Sequence, residues 1–163
     1  MKMRKNTFGY TIIELVVTIA ILAILITFSI GPMRGLLLRN QVKNEVNLLQ
    51  LDLVFARSEA INRSYPVVVK PSDEWTDGWV IYVDVNDNGV KDTNEEQLRE
   101  TAFTNANLVL SDTEDHASLS FTSLGSLKSA AERIISITHP KLPENKTIFV
   151  AAAGTVSVRT VPK

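Results

Sequence analysis

Two groups of residues in the 163-residue chain have types and spacings that can do chemistry. The first is Asp84-Val85-Asn86-Asp87-Asn88-Gly89-Val90-Lys91-Asp92-Thr93-Asn94-Glu95. Oxygen-bearing side chains fall at places 1, 3, 5, 9 and 12 of a twelve-residue calcium loop, with glycine at place 6. The ligands would be Asp84, Asn86, Asn88, Asp92 and Glu95, with Val90 offering its carbonyl and Gly89 making the turn. Hard oxygens on alternate residues suit calcium, which is the one cofactor the sequence suggests. An acidic Asn/Gly-rich hairpin turn would spell the same letters without a metal. The flanks favour that alternative: residues 78–85 read as a strand rather than a helix, and place 8 is Lys91 where paired calcium loops carry an apolar residue.

The second group is a single carboxylate, Glu14, in the run Gly9-Tyr10-Thr11-Ile12-Ile13-Glu14-Leu15. It is the only charge between Tyr10 and Ile30. An ionised side chain at the centre of a membrane helix costs roughly 2.5–3.5 kcal/mol, so it demands a partner. Catalysis finds little support elsewhere. There is no cysteine, and His116 and His139 lie in loop or strand-end contexts without a nucleophile nearby in sequence. No phosphate-cradling glycine loop is present, and the chain reads as non-enzymatic.

The elements that must position these groups begin with the apolar run. Tyr10 to Ile30 is 21 residues, about 31 Å as a helix, close to the thickness of a bilayer core. Lys2, Arg4 and Lys5 precede it. Positive flanks stay cytoplasmic, so the rest of the chain is expected across the membrane, in the periplasm. A cleaved secretory signal and an uncleaved anchor share these zones, but neither accounts for Glu14. Gly31-Pro32 then predicts a kink or local melting. Beyond it, Leu38, Val42, Val46, Leu49, Leu53, Ala56 and Ala60 recur three or four residues apart. That is one apolar stripe on a long helix, backed by Arg39, Lys43, Asn44, Gln50, Arg57 and Arg63. Glu59 and Arg63 form a minor pair four residues apart.

After Ser64 the period shifts toward two. Strands are expected at 66–70, 78–85, 107–111, 117–122, 133–139, 147–152 and 155–159, forming an antiparallel sheet on the helix. Trp75 and Trp79 are read as sheet core and turn packing. The net charge of −1 conceals strong segregation. Residues 1–70 hold nine Lys/Arg against four Asp/Glu, residues 71–127 two against twelve, and residues 128–163 six against two. Such a polar distribution suits docking between neighbours of complementary charge.

The run Gly9 to Leu15 resembles the class III signal of type IV pilins and type II secretion pseudopilins: a short basic leader ending in glycine, an aromatic residue, and glutamate fifth after the cut. Residues 55–63 followed by Tyr65-Pro66-Val67-Val68-Val69 resemble the GspH/FimT/FimU branch, and FimU-like minor pilins most. The resemblance implies an α+β, pilin-like fold, with a long N-terminal α-helix packed on an antiparallel sheet head. It divides the chain into a leader (1–9), a membrane and filament-core helix (10–31), and a periplasmic head (32–163, with helix 33–63 and sheet region 64–163).

It implies that a prepilin peptidase cuts after Gly9 and methylates the new amine of Tyr10. Glu14 would then pair with a neighbouring subunit's amine during assembly. The partners would be other minor and major pilins and the inner-membrane assembly platform, in a priming complex at the pilus tip. A minor pseudopilin of a type II secretion system is the alternative. DNA capture by a tip pilin is another, because some FimT-like pilins carry a Gly-Arg-x-Arg motif near the C-terminus. Here the place reads Gly154-Thr155-Val156-Ser157-Val158-Arg159, without that spacing. Lys141, Lys146 and Arg159 would be the contacts, giving weak, salt-sensitive binding.

Overall fold

The computed structural model describes residues 11–103, 107–113 and 118–162, except for the side chains of 27–34. Helix α1 spans Ile12–Arg63. It continues through Gly31-Pro32, so the expected melting there does not occur. The chain divides into two compact units, Met1–Leu37 and Leu38–Lys163.

In the first unit, α1 opens with a reciprocal cap. Glu14 N–H donates to Thr11 Oγ1 at 3.3 Å, and the Glu14 carboxylate accepts from Thr11 N at 3.5 Å. This is the capping box written by Thr11-x-x-Glu14, satisfying donors that a helix start leaves open.

In the second unit the stripe behaves as its spacing demands. Val42, Val46, Leu49, Leu53, Ala56 and Ala60 are all buried. They cover two antiparallel four-stranded sheets rather than the single sheet expected. Among the described residues, eight strands follow α1: β1 (Val67–Pro71), β2 (Trp79–Val83), β3 (Gln97–Thr101), β4 (Val109–Asp112), β5 (Leu119–Phe121), β6 (Arg133–Thr138), β7 (Glu144–Val150) and β8 (Val156–Pro162). One sheet has the order β3-β2-β1-β5 and the other β4-β6-β7-β8. Seven strands match expected ones within a few residues. β3 was not anticipated because Gln97-Leu98-Arg99-Glu100-Thr101 carries little apolar signal and stays largely exposed at a sheet edge.

Each sheet turns alternate residues toward α1. Val67, Val69, Ile81, Val83, Leu119 and Phe121 come from one sheet, and Leu110, Ile135, Ile137, Ile148 and Val150 from the other. A side-chain clamp ties the sheets together beneath the end of α1. Arg57 donates from Nε to the Gly125 carbonyl at 2.9 Å and from its terminal nitrogen to the Ala153 carbonyl at 3.2 Å. Gly154 sits at φ +79°, and a Cβ there would lie 1.8 Å from the Gly125 carbonyl oxygen. Only glycine satisfies both the turn and the approach.

Candidate functional site

The most exposed apolar surface is the helix that follows the Thr11–Glu14 cap. Ile12, Ile13, Leu15, Val16, Val17, Ile19, Ile21, Leu22, Ile24, Leu25 and Ile26 are each about half exposed or more, on every side of α1. Its one internal hydroxyl, on Thr18, is satisfied by donating to the Leu15 carbonyl at 2.8 Å. A helix that is apolar all round needs lipid or other helices as its environment. Residues 11–26 amount to about 24 Å of helix. Among the described residues, no helix is long and apolar enough to cross a membrane. Gly9 and Tyr10 lie outside the described residues.

The head has an uncharged surface of its own. The side of α1 turned away from the core presents Asn40, Asn44, Asn47, Leu48, Leu51, Val54, Ser58 and Ile61, all exposed and none charged. The accessible charged residues of this stretch, Arg39, Lys43, Arg57, Glu59 and Arg63, flank it, whereas Glu45 and Asp52 are buried. Glu59 meets Arg63 as expected, at 2.6 Å, and Arg63 reaches further to Glu96 at 2.7 Å.

The calcium-loop residues form a closed hydrogen-bond network. The Asp84 carboxylate is fully buried and accepts from Asn88 N at 3.0 Å and Gly89 N at 2.8 Å. Asn86 Oδ1 accepts from Asn88 N, and Asn88 Oδ1 from Val90 N. Both asparagine amides donate to Asp92, while Glu95 accepts from Val85 N and Asp92 N. Each of the five side chains is therefore engaged in holding the loop. Among the described residues, no three His, Cys, Asp or Glu side chains are grouped to hold a metal ion. The loop reaches the first sheet through Tyr82, whose hydroxyl donates to the Gly89 carbonyl at 3.0 Å. Burial, then the charges of Asp84, Glu95 and Asp92, push the Tyr82 pKa up to about 12.

The basic residues at the chain's other end are not brought into one patch. Thr147 pairs with Arg159 and Lys146 with Thr160, so the alternation of strands puts Lys146 and Arg159 on opposite faces of the sheet. Arg159 lies over the Phe149 ring at 4.9 Å, and Lys146 donates to Thr160 Oγ1. Lys141 stands in the turn after His139, where its backbone N donates to His139 Nδ1 at 3.1 Å. Two further charges of that end are neutralised. Arg133 is buried against Asp112, and Lys128 pairs with Asp87 at 2.7 Å.

Three buried carboxylates, Glu45, Asp52 and Asp112, escaped the sequence reading. Asp52 on α1 is fully buried and accepts from Trp79 Nε1 at 2.8 Å, from Thr101 Oγ1 at 2.7 Å and from Arg99. Arg99 also covers the Phe55 ring at 4.2 Å. Asp112 repeats the pattern in the second sheet, accepting from Trp75 Nε1 at 3.3 Å and from Arg133, which also donates to the Ser118 carbonyl. The two indoles lie 6.2 Å apart, so both clusters meet at the centre of the core. The sequence signal was the position of Asp52 between Leu49 and Leu53, on the edge of the apolar stripe. These clusters fix the positions of the elements that carry them.

A capped, exposed apolar helix joined to a twin-sheet head defines a class: subunits anchored and assembled through an N-terminal helix, in the manner of pilins. The comparisons with known proteins agree. Residues 4–30 match the prokaryotic N-terminal methylation motif, and residues 45–154 match the family described as type II transport protein GspH. The chain belongs to the GspH family, and its methylation motif is that of prepilin-type, membrane-anchored subunits.

The type IV minor pilin FimU of Pseudomonas aeruginosa has a similar fold in two crystal forms. One is 23% identical, covering 74% of this chain and 90% of that one with a TM-score of 0.62. The other is 20% identical, covering 72% and 91% with a TM-score of 0.59. The minor pseudopilin EpsH of the Vibrio cholerae type 2 secretion system is 16% identical, covering 73% and 96% with a TM-score of 0.56. No curated protein sequence matches the chain. The pilin-like fold expected from sequence is thus the observed one, and the family is one of structural pilin subunits.

Proposed function

We propose that the chain is a minor pilin subunit that enters a type IV pilus through a tip or priming complex, after a prepilin peptidase removes residues 1–9. The observation that carries this reading is the exposed apolar helix from Ile12 to Ile26, begun by the Thr11–Glu14 cap. Before assembly the inner membrane covers that helix, with the N-terminus cytoplasmic and the head periplasmic. The assembly platform then delivers it to other minor and major pilins, whose helices replace the lipid. The uncharged face of α1 from Asn40 to Ile61 extends the same packing along the head. In the assembled state Glu14 exchanges its local cap for the methylated amine of a neighbour's first residue.

Intact mass of the protein recovered from membranes, with and without the peptidase, tests the reading. Loss of residues 1–9 with gain of one methyl group is expected, and an uncut chain would overturn it. Glu14→Gln separates the two roles of the carboxylate, because glutamine retains the capping box and loses the charge. That variant is expected to be cleaved and folded but absent from filaments. Incorporation at the wild-type level would reduce Glu14 to a helix cap. EpsH-like service in a secretion pseudopilus is the second reading, favoured by the GspH family match. Isolation with secretion rather than pilus subunits would establish it.

A further inference from the structure

The two sheets end in four edges, and three of them are blunted in the ways that keep edges from pairing. β3 carries Arg99 and Glu100 and runs beside a register shift at Ile81/Tyr82. β5 has three residues and β4 four. β8 differs. It pairs with β7 in unbroken register over seven residues, from Val150↔Val156 to Glu144↔Pro162, and among the described residues β7 is its single strand neighbour. Arg159 is the one charged residue in Val156-Ser157-Val158-Arg159-Thr160-Val161-Pro162. From Arg159 to Pro162 every residue of the strand is exposed.

The hairpin fixes which backbone groups are free. Ala151 N–H donates to the Thr155 carbonyl at 2.9 Å, which makes this pair the hydrogen-bonded kind. Such pairs recur at every second residue of an antiparallel ladder. Ser157, Arg159 and Val161 therefore bond to β7, while Val156, Val158 and Thr160 turn N–H and C=O outward. Pro162 falls in the outward set, the place where a missing N–H costs no ladder bond. It also sets the limit of any pairing.

We infer that the outer edge of β8 is a docking site for an extended strand of a neighbouring filament subunit, one that carries a carboxylate opposite Arg159. The class of partner follows from the chemistry of the edge. A row of alternating backbone donors and acceptors is satisfied by another strand, which adds to the sheet. A second copy of β8 is disfavoured. Arg159 is the middle residue of the seven, so full antiparallel self-pairing sets Arg159 against its own copy, and like charges directly opposite destabilise a sheet. An acidic residue there gains what self-pairing would lose. The partner's identity as a filament subunit rests on the proposed function above.

Hydrogen exchange on the full chain tests the inference, comparing filaments with detergent-solubilised subunit. The amides of Val156, Val158 and Thr160 are expected to slow by about 100-fold or more on assembly, with those of Ser157 and Arg159 already protected. Equal exchange in both states overturns it. Thr160→Pro removes an outward N–H without touching the β7 ladder, and is expected to lower incorporation at least about tenfold, whereas Thr160→Val is not. Wild-type incorporation of Thr160→Pro overturns the inference, and if that variant melts early the exchange result decides. Arg159→Glu is expected to lower incorporation similarly, and cross-linking of the chain alone into a β8-to-β8 dimer would refute the acidic partner. Intact mass on the same samples keeps the two readings apart. A chain never processed or found in filaments removes the partner named here, while a processed chain in filaments with fast β8 amides refutes the edge alone.

Discussion

Replacing Asp52 tests whether the helix is held to the first sheet by a buried polar cluster or by apolar packing alone. Its carboxylate is fully buried, whereas the Arg99 side chain facing it is 42% exposed. Asp52→Ala strands the buried Trp79 N–H and the Thr101 hydroxyl, while Arg99 can turn to water. Each orphaned buried group costs about 1–3 kcal/mol, and loss of one member of a buried pair about 3–5 kcal/mol in all. Arg99→Ala leaves the carboxylate buried with neutral donors only and removes the cation over Phe55, so its cost falls in the same range. Asp52→Asn keeps an acceptor and the shape, and is expected to cost least of the three. In urea unfolding of residues 38–163, with m of about 2 kcal/mol/M, Asp52→Ala should move the midpoint down by about 2 M. An exposed ion pair would be worth at most about 1 kcal/mol. A loss below that for both alanine variants would refute the reasoning and leave the stripe sufficient by itself.

Gly154→Ala is expected to lower the melting temperature by many degrees, because its Cβ collides with the Gly125 carbonyl in a backbone conformation alanine resists; an unchanged melt would show that the Arg57 clamp can open without loss. The raised Tyr82 pKa means that the folded head holds this proton while the unfolded chain releases it near pH 10. Stability from this group is therefore complete below pH 10 and lost as pH rises toward 12. Unfolding measured against pH should show that fall, and Tyr82→Phe should flatten it. For the loop, millimolar calcium and a chelator are expected to give the same melting temperature, since the oxygens of Asp84, Asn86, Asn88 and Glu95 already accept from loop N–H groups. A rise of several degrees with calcium would show that the loop opens to bind it.

Features set by one dominant physical constraint are legible in the sequence, whereas those shared by several residues distant in sequence are not. The α1 stripe was legible because burial of one helix face forces a three-to-four spacing. β1, β2 and β6 were legible because their runs are apolar and β-branched. β3 was not, since an edge strand that is largely exposed needs no apolar pattern. The split into two sheets was hidden too, because pairing order depends on contacts such as Arg57 to Gly125 and Ala153 that no local pattern encodes. Asp112 was invisible for the same reason, and Asp52 showed only as a carboxylate on the edge of the apolar stripe. A buried carboxylate is recognisable only with its donors, and Trp79, Arg99 and Thr101 lie 27 to 49 positions from Asp52. The loop from Asp84 to Glu95 shows the reverse. Alternating short polar side chains suit metal coordination and backbone capping equally, and spacing alone does not separate the two.

Under the proposed function, Glu14 would serve as a local cap and as an assembly device in turn. As a bare charge within hydrocarbon it would cost a few kcal/mol, and relief of that cost would drive subunits together strongly. The cap with Thr11 changes the starting point. At the third position of α1 the carboxylate already meets a backbone N–H and the positive end of the helix dipole, worth about 0.3–1 kcal/mol, so the free subunit is less strained than its sequence suggests. Under the assembly reading, pairing with a neighbour's amine gains the difference between an ion pair and a cap rather than the whole cost of a buried charge. A modest gain of this kind suits a subunit that must wait in the membrane without aggregating. It also makes the charge decisive, because Glu14→Gln leaves the waiting state intact and removes the assembled state's advantage alone.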